Sequence, residues 1–318
     1  MAYSAGDTIL DDEYNAFVGN SSSPYGYNHF AGTGAGEYGL NQSSISTVSA
    51  GGTVNASQWN SLFTGLDNIA NHTNVSITAS SVSAGDTIAI RSALISDLAN
   101  LAAAVAGGST SATALAAASS VGSSTNAGTW NSTSTIERSV TFANNATMRA
   151  FFNAGGFIRI DPSCTTGIDG SKDDVFNDLT TTATGNLDLK AHSTTRSGSG
   201  ETLTTNGLAN GFHDLGTGYT VLLKLTSDNS GYTSNTVEYS AKLNAAVGSA
   251  TVLTIKMVST DAADDTTYTS GNLSSIPTNP NEAPRMTLAL LASNPNDTQG
   301  LAATITSSSN AEVSNSAS

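Results

Sequence analysis

Thr236-Val237-Glu238-Tyr239-Ser240-Ala241-Lys242-Leu243 is followed closely by Ala250-Thr251-Val252-Leu253-Thr254-Ile255-Lys256-Met257-Val258. In both runs Lys or Glu alternates with apolar residues, and a period of two puts one set of side chains on each face of a strand. They predict half-buried antiparallel strands. The pattern extends outward from there. Ile136, Val140 and Phe142 are spaced by even numbers, and further strands are expected at 157–160, 187–189, 219–225 and 286–291. A single helix, Asn145 to Asn153, should interrupt them with Met148, Phe151 and Phe152 inward. Roughly seven strands parted by Gly, Asn and Ser turns predict an antiparallel β-sandwich, here over residues 129–306.

Composition supports a chain that is mainly β. Of 318 residues only 11% are charged, against roughly 25% in an average soluble domain. Ser, Thr, Asn and Gly supply the polar surface instead, and the first three offer the backbone hydrogen bonds that compete with helix. The length allows two or three domains. The net charge of −14 argues against binding to nucleic acid, where affinity comes from cationic neutralisation of phosphates, and against an anionic membrane surface. The single Cys164 excludes an intrachain disulfide and is expected to be a small buried apolar residue. No secretory signal is expected after Met1, and no apolar run approaches the length of a membrane span.

The amino-terminal third reads differently. Ser-Ala-Gly followed by Thr and a β-branched residue begins at Ser4, Ser49 and Ser83. The first two copies also share an aromatic–Asn pair, Tyr14-Asn15 and Trp59-Asn60. Each copy reads as a turn leading into a helix cap, so residues 1–107 are expected to be repeated turn–helix modules. Asn55 and Gln58 have capping-box spacing before a helix over 56–71 that carries Trp59, Leu62, Phe63, Leu66 and Ile69. Asp11 is the expected cap of a shorter helix with Tyr14, Phe17 and Val18. Ile90, Leu94, Leu98, Leu101 and Val105 form a third stripe that stops at Gly107-Gly108. Either these stripes are intrachain core or they form surfaces completed by other subunits. On the second view Tyr14, Trp59, Leu62, Phe63 and Leu66 dock, and Leu94, Leu98 and Leu101 line a seam between copies, expected to be a trimer.

Residues 108–128, nearly all small, are the expected linker, and 307–318 the expected flexible tail. Between the first two modules lies Tyr25-Gly26-Tyr27-Asn28-His29-Phe30, then the glycine-rich run 32–39. No apolar strand precedes these glycines and no Lys follows as in a phosphate loop, so they predict a docking surface or an inter-module wrap and no cofactor.

The segment Val140 to Ile160 carries a strand, a short helix, the turn Phe152-Asn153-Ala154-Gly155-Gly156 and the strand Phe157-Ile158-Arg159-Ile160. It resembles a signature of virion structural proteins of tailed bacteriophages, especially marine and cyanobacterial ones. The runs 232–243 and 253–265 are similar to the stretch downstream of that signature in those proteins, and the amino-terminal modules look like phage fibre or appendage sequence. The resemblance covers about 60% of the chain. It implies a non-enzymatic fibre, neck or tail-appendage protein, located in the virion, whose partners are its own copies and other virion proteins, with no catalytic residues to carry over. Two other roles stay open, a capsid decoration protein and an adhesin that binds host glycan through Tyr219, Tyr232 and Tyr268.

Chemistry-bearing residues are sparse. His29, His72, His192 and His213 lie in polar surroundings with no metal-ligand spacing, and His213-Asp214 lacks a nucleophile elbow. Asp261, Asp264 and Asp265 are the densest carboxylates but lack the ladder of a calcium loop, so no metal site is assigned.

Overall fold

A computed structural model of the chain describes residues 11–23, 25–34, 37–83, 91–111, 113–126, 130, 132–165, 171–229, 231–262, 284–295 and 309–317. The chain divides into two compact units. The first comprises Met1–Ala117, Asn144–Gly156 and Asn294–Thr306; the second comprises Ala118–Ala143, Phe157–Ser293 and Ser307–Ser318.

The first unit is helical. Its elements are α1 (Asp11–Val18), α2 (Tyr27–Phe30), α3 (Ala56–Thr73), α4 (Arg91–Ala106) and α5 (Asn145–Asn153). The capping box at α3 forms as expected: Gln58 N donates to Asn55 Oδ1 at 3.1 Å and Asn55 N donates to Gln58 Oε1 at 2.9 Å. The helix runs two residues further than expected, to a left-handed Asn74 whose amide bonds Ala70 O. Helix α4 stops at the two glycines, with Gly108 at φ +64°. The core gathers round Trp59, which meets Tyr14 edge-on at 5.4 Å and stacks on Phe63 at 5.7 Å. A Cβ on Gly65 would lie 2.7 Å from the Tyr27 ring, so the absence of a side chain is what admits α2 against α3.

Two stretches of this unit, residues 45–48 and 78–82, are neither helix nor strand and are held by side chains. Asn28 Nδ2 donates to Ile45 O at 2.8 Å and Asn28 Oδ1 accepts from Ile45 N at 2.9 Å. Asn15 does the same to Val48, at 2.9 and 2.8 Å, and Asn60 to Val82, at 2.9 and 2.8 Å. In α4 the buried Asp97 carboxylate accepts from the amides of Thr78 and Ala79. Extended backbone thus satisfies its polar groups without a sheet partner. The triplets at Ser4 and Ser83 lie mostly outside the described residues.

The second unit is β. Its strands are β1 (Ser119–Thr125), β2 (Thr133–Thr141), β3 (Phe157–Thr165), β4 (Leu187–Leu189), β5 (Thr194–Arg196), β6 (Thr202–Asn206), β7 (Thr220–Thr226), β8 (Thr236–Leu243), β9 (Val252–Thr260), β10 (Arg285–Ser293) and β11 (Ser309–Ala317). They form two antiparallel sheets, ordered β1-β10-β3-β4-β5 and β11-β2-β9-β8-β7-β6. The two sheets touch where β1 and β10 meet β2 and β11, a sandwich-like arrangement. Register follows from the alternation. Val237, Tyr239, Ala241 and Leu243 are buried in step with Leu253, Ile255 and Met257 of the neighbouring strand. In the other sheet Met286, Leu288, Leu290 and Ala292 oppose Cys164, Pro162, Ile160 and Ile158. Helix α6 (Ser171–Asn177) packs on β3, and the π-helical turn that continues it touches β3, β7 and β8.

The chain is therefore mainly β with a small helical region, as its composition implies. Three boundaries differ from the sequence reading. Residues 119–125, expected as linker, are strand β1 paired with β10, and 309–317, expected as flexible tail, are strand β11 paired with β2. Both are edge strands whose ladder bonds are backbone to backbone, so small hydroxyl side chains suffice and leave no apolar signature. Helix α5, expected inside the β-domain, belongs to the helical unit, because its apolar face is buried there: Met148, Phe151 and Phe152 are all 0% exposed.

Candidate functional site

The aromatic glycine-rich loop between α1 and α3 is the most built surface of the helical unit. Its base is a pinch of two glycines with positive φ: a Cβ on Gly34 would lie 2.6 Å from the carbonyl carbon of Tyr38, and one on Gly39 would lie 2.6 Å from Thr33 O. Only glycine permits both backbones to approach so closely.

Helix α5 anchors this pinch. Arg149 Nη2 donates to Thr33 O at 2.6 Å and Gly34 O at 3.4 Å, Nη1 donates to Tyr38 O at 3.3 Å, and Nε donates to Asn145 Oδ1 at 2.9 Å. Asn153 Nδ2 donates to Gly39 O at 3.1 Å. Arg149 is 7% exposed and burial lowers its pKa, yet the planar fork keeps four donor contacts on neutral oxygens. The carbonyls of residues 33, 34, 38 and 39 are thereby fixed from one side.

Tyr25, His29 and Tyr38 stand half-exposed on this frame. Their ring centroids are 4.8 Å apart for His29–Tyr38, 6.0 Å for Tyr25–Tyr38 and 6.3 Å for Tyr25–His29. Tyr38 donates a hydrogen bond to the Tyr25 hydroxyl at 3.4 Å; that bond, then burial, pushes the Tyr38 phenol up to about 12. His29 Nδ1 faces Asn20 O at 3.2 Å. Rigid aromatic rings with polar tips give contact area at little entropic cost, which suits adhesion to a partner surface.

The eight residues assigned from sequence to docking and to a seam lie elsewhere, and the structure corrects that assignment. Tyr14, Trp59, Leu62, Phe63, Leu66, Leu94, Leu98 and Leu101 are all buried within the chain, none more than 6% exposed. Their stripes pack within the chain on α1, α3 and α4, so these eight side chains form intrachain core. The glycan candidates fare differently from one another. Tyr232 is 3% exposed and presents no stacking face. Tyr219 has the Lys256 and Lys242 ammonium groups 3.9 and 4.3 Å from its ring centroid. Tyr268 lies outside the described residues.

Of the three aspartates weighed for a cation, Asp261 is buried and Asp264 and Asp265 lie outside the described residues. Among the described residues no group of three His, Cys, Asp or Glu is placed to hold a metal. His192 and His213 stack at 5.0 Å with 20° between their planes. Cys164 is buried and free, its thiol pushed up to about 12 by burial. Among the described residues no helix is long and apolar enough to cross a membrane.

The sequence carried one overlooked signal for this site. Arg149 sits between Met148 and the buried Phe151-Phe152 pair, and a cation inside an apolar helical face needs oxygen partners. Comparison of the chain with protein-family models, with curated proteins and with solved structures finds no match.

Proposed function

We propose that the chain is a non-enzymatic structural component of a tailed-phage virion, a fibre, neck or tail-appendage protein. In this reading the helical unit docks on the particle through the Tyr25, His29 and Tyr38 surface. One observation carries it: Arg149 and Asn153, which lock that surface in place, both lie in the Val140–Ile160 segment that resembles phage virion proteins. The low charge content and the acidic balance suit a part present at high local copy number. Docking is placed on the loop because the apolar stripes are closed within the chain.

The test is quantitative mass spectrometry of density-purified particles, followed by a reconstruction that locates the chain. Tens of copies per particle at the neck, tail or fibres are expected. Hundreds of copies spread over the shell identify a decoration protein instead, and recovery only in the soluble fraction removes the virion reading altogether.

A further inference from the structure

The helical unit also contains a groove of about 450 Å3 at the carboxyl end of α3, a size within the usual range of small-molecule sites. Its described lining includes the polar residues Asp67, Asn71, Asn74, Ser76, Ser111 and Thr113 and the apolar Val75 and Ile77. Backbone bonds set its shape. Ser111 N donates to His72 O at 2.7 Å, tying Ser111 to α3, and Val75 N donates to Ala70 O at 3.0 Å across the left-handed Asn74. Asn71 Nδ2 donates to Asp67 Oδ2 at 3.2 Å, which orients both side chains.

The lining chooses among ligand classes. Among the described residues no Lys or Arg lines the groove. Asp67 and the negative end of the α3 dipole both oppose an anion. Nor is there an aromatic side chain among its described lining residues to stack a flat ring. What remains is a mixture of amide and hydroxyl donors and acceptors, one carboxylate acceptor and a small apolar strip. That set matches a ring bearing several hydroxyls, which donates to Asp67, accepts from Asn71 and Asn74, and lays C–H groups on Val75 and Ile77. We infer that this groove binds a neutral sugar, one or two residues of an uncharged glycan. Such binding is independent of the virion reading and uses none of the tyrosines considered from sequence.

The experiment is a two-dimensional 15N–1H NMR titration of the full chain with a panel of neutral oligosaccharides (maltotriose, chitotriose and mannotriose), with sialyllactose as the anionic probe and calcium chloride as the cation probe. At least one neutral sugar is expected to shift amides of 67–77 and 111–113 saturably, while sialyllactose does not. Asp67→Asn and Asn71→Ala, both at exposed positions, should each weaken binding by about tenfold while the remaining spectrum stays unchanged. Absence of any shift there with the whole panel overturns the inference. So does tighter binding of sialyllactose, or the same shifts produced by calcium alone.

Discussion

Asn60 and the backbone of Val82 exchange two hydrogen bonds, the amide donating at 2.9 Å and accepting at 2.8 Å. Asn15 and Val48 form the same pair, and Val48 and Val82 each immediately precede a Ser-Ala-Gly triplet. The aromatic–Asn pair of one helix therefore grips the chain entering the next triplet. At the corresponding place after the third triplet stands Leu94, which is buried core. Replacing Asn60 with Ala leaves the Val82 amide and carbonyl without partners and is expected to cost about 1–3 kcal/mol. Asn60→Asp keeps the acceptor, loses the donor, and should fall between wild type and Ala. Urea unfolding of the three proteins checks the order; an unchanged midpoint for Asn60→Ala refutes it.

Leu98 separates core from interface. It is 1% exposed, so truncation to Ala should destabilise the protein by about 2–5 kcal/mol, and Leu98→Asp should unfold the helical unit because an unpaired charge is buried. A seam between copies predicts something else, a folded chain of lower mass. Light scattering with circular dichroism on Leu98→Asp distinguishes them: loss of helical signal is expected, and dissociation with helix content intact contradicts the core assignment.

Periodicity made the long elements readable. The α3 capping box, the glycine stop of α4, the bounds of α5 and the β8–β9 hairpin all follow from local pattern, because each buries a face whose spacing is set by its own backbone geometry. Strands β1 and β11 escape that reading since Ser-rich edge strands are fixed by ladder bonds, which composition does not encode. The distinction between core and subunit seam for Leu94, Leu98 and Leu101 was open for a similar reason. An apolar stripe shows that a face is covered and says nothing of what covers it. The 25–39 loop was visible as glycine and aromatic residues, but its anchor Arg149 lies more than a hundred residues away in sequence.

Arg149→Lys tests that anchor. A single ammonium cannot reproduce the fork that reaches residues 33, 34 and 38, so the pinch should loosen while α5 stays buried. Hydrogen exchange should accelerate in the 33–39 peptide, with a loss of about 1–3 kcal/mol in stability. Unchanged exchange in that peptide, with exchange elsewhere also unchanged, shows that Arg149 does not hold the loop.

Glu201 bears on alkaline stability. It has a positive φ of 56°, and its Oε2 accepts from Asp228 N. Burial, then its proximity to Asp178 and Asp228, raises its pKa from 4.5 to about 7. The folded state therefore holds this proton more tightly than the unfolded one. Its contribution is fully present below pH 4.5 and is lost as pH rises through about 7. Glu201→Gln cannot ionise, so its melting temperature should rise relative to wild type as pH goes from acid to mildly alkaline. An equal difference at both ends rules out the raised pKa.

His72 acts in the opposite sense. It is fully buried, its Nε2 donates to Ala154 O at 2.9 Å, and its Nδ1 has no hydrogen-bond partner among the described residues. Burial lowers its pKa below 6.5, only partly offset by the bond to Ala154. Above 6.5 the imidazole is neutral folded or unfolded, and the contact is at full strength. As pH falls below 6.5 the unfolded chain takes up a proton that the folded chain resists, so stability declines until pH passes the folded value. Glutamine keeps a donor for the Ala154 carbonyl and does not titrate. His72→Gln should accordingly be less stable than wild type near neutrality, through imperfect filling of the site, and the gap should narrow as the solution is acidified. The readout is the difference in melting temperature between the two proteins across pH 8 to about 5, a subtraction that cancels the carboxylates common to both. A gap independent of pH shows that His72 does not titrate on unfolding.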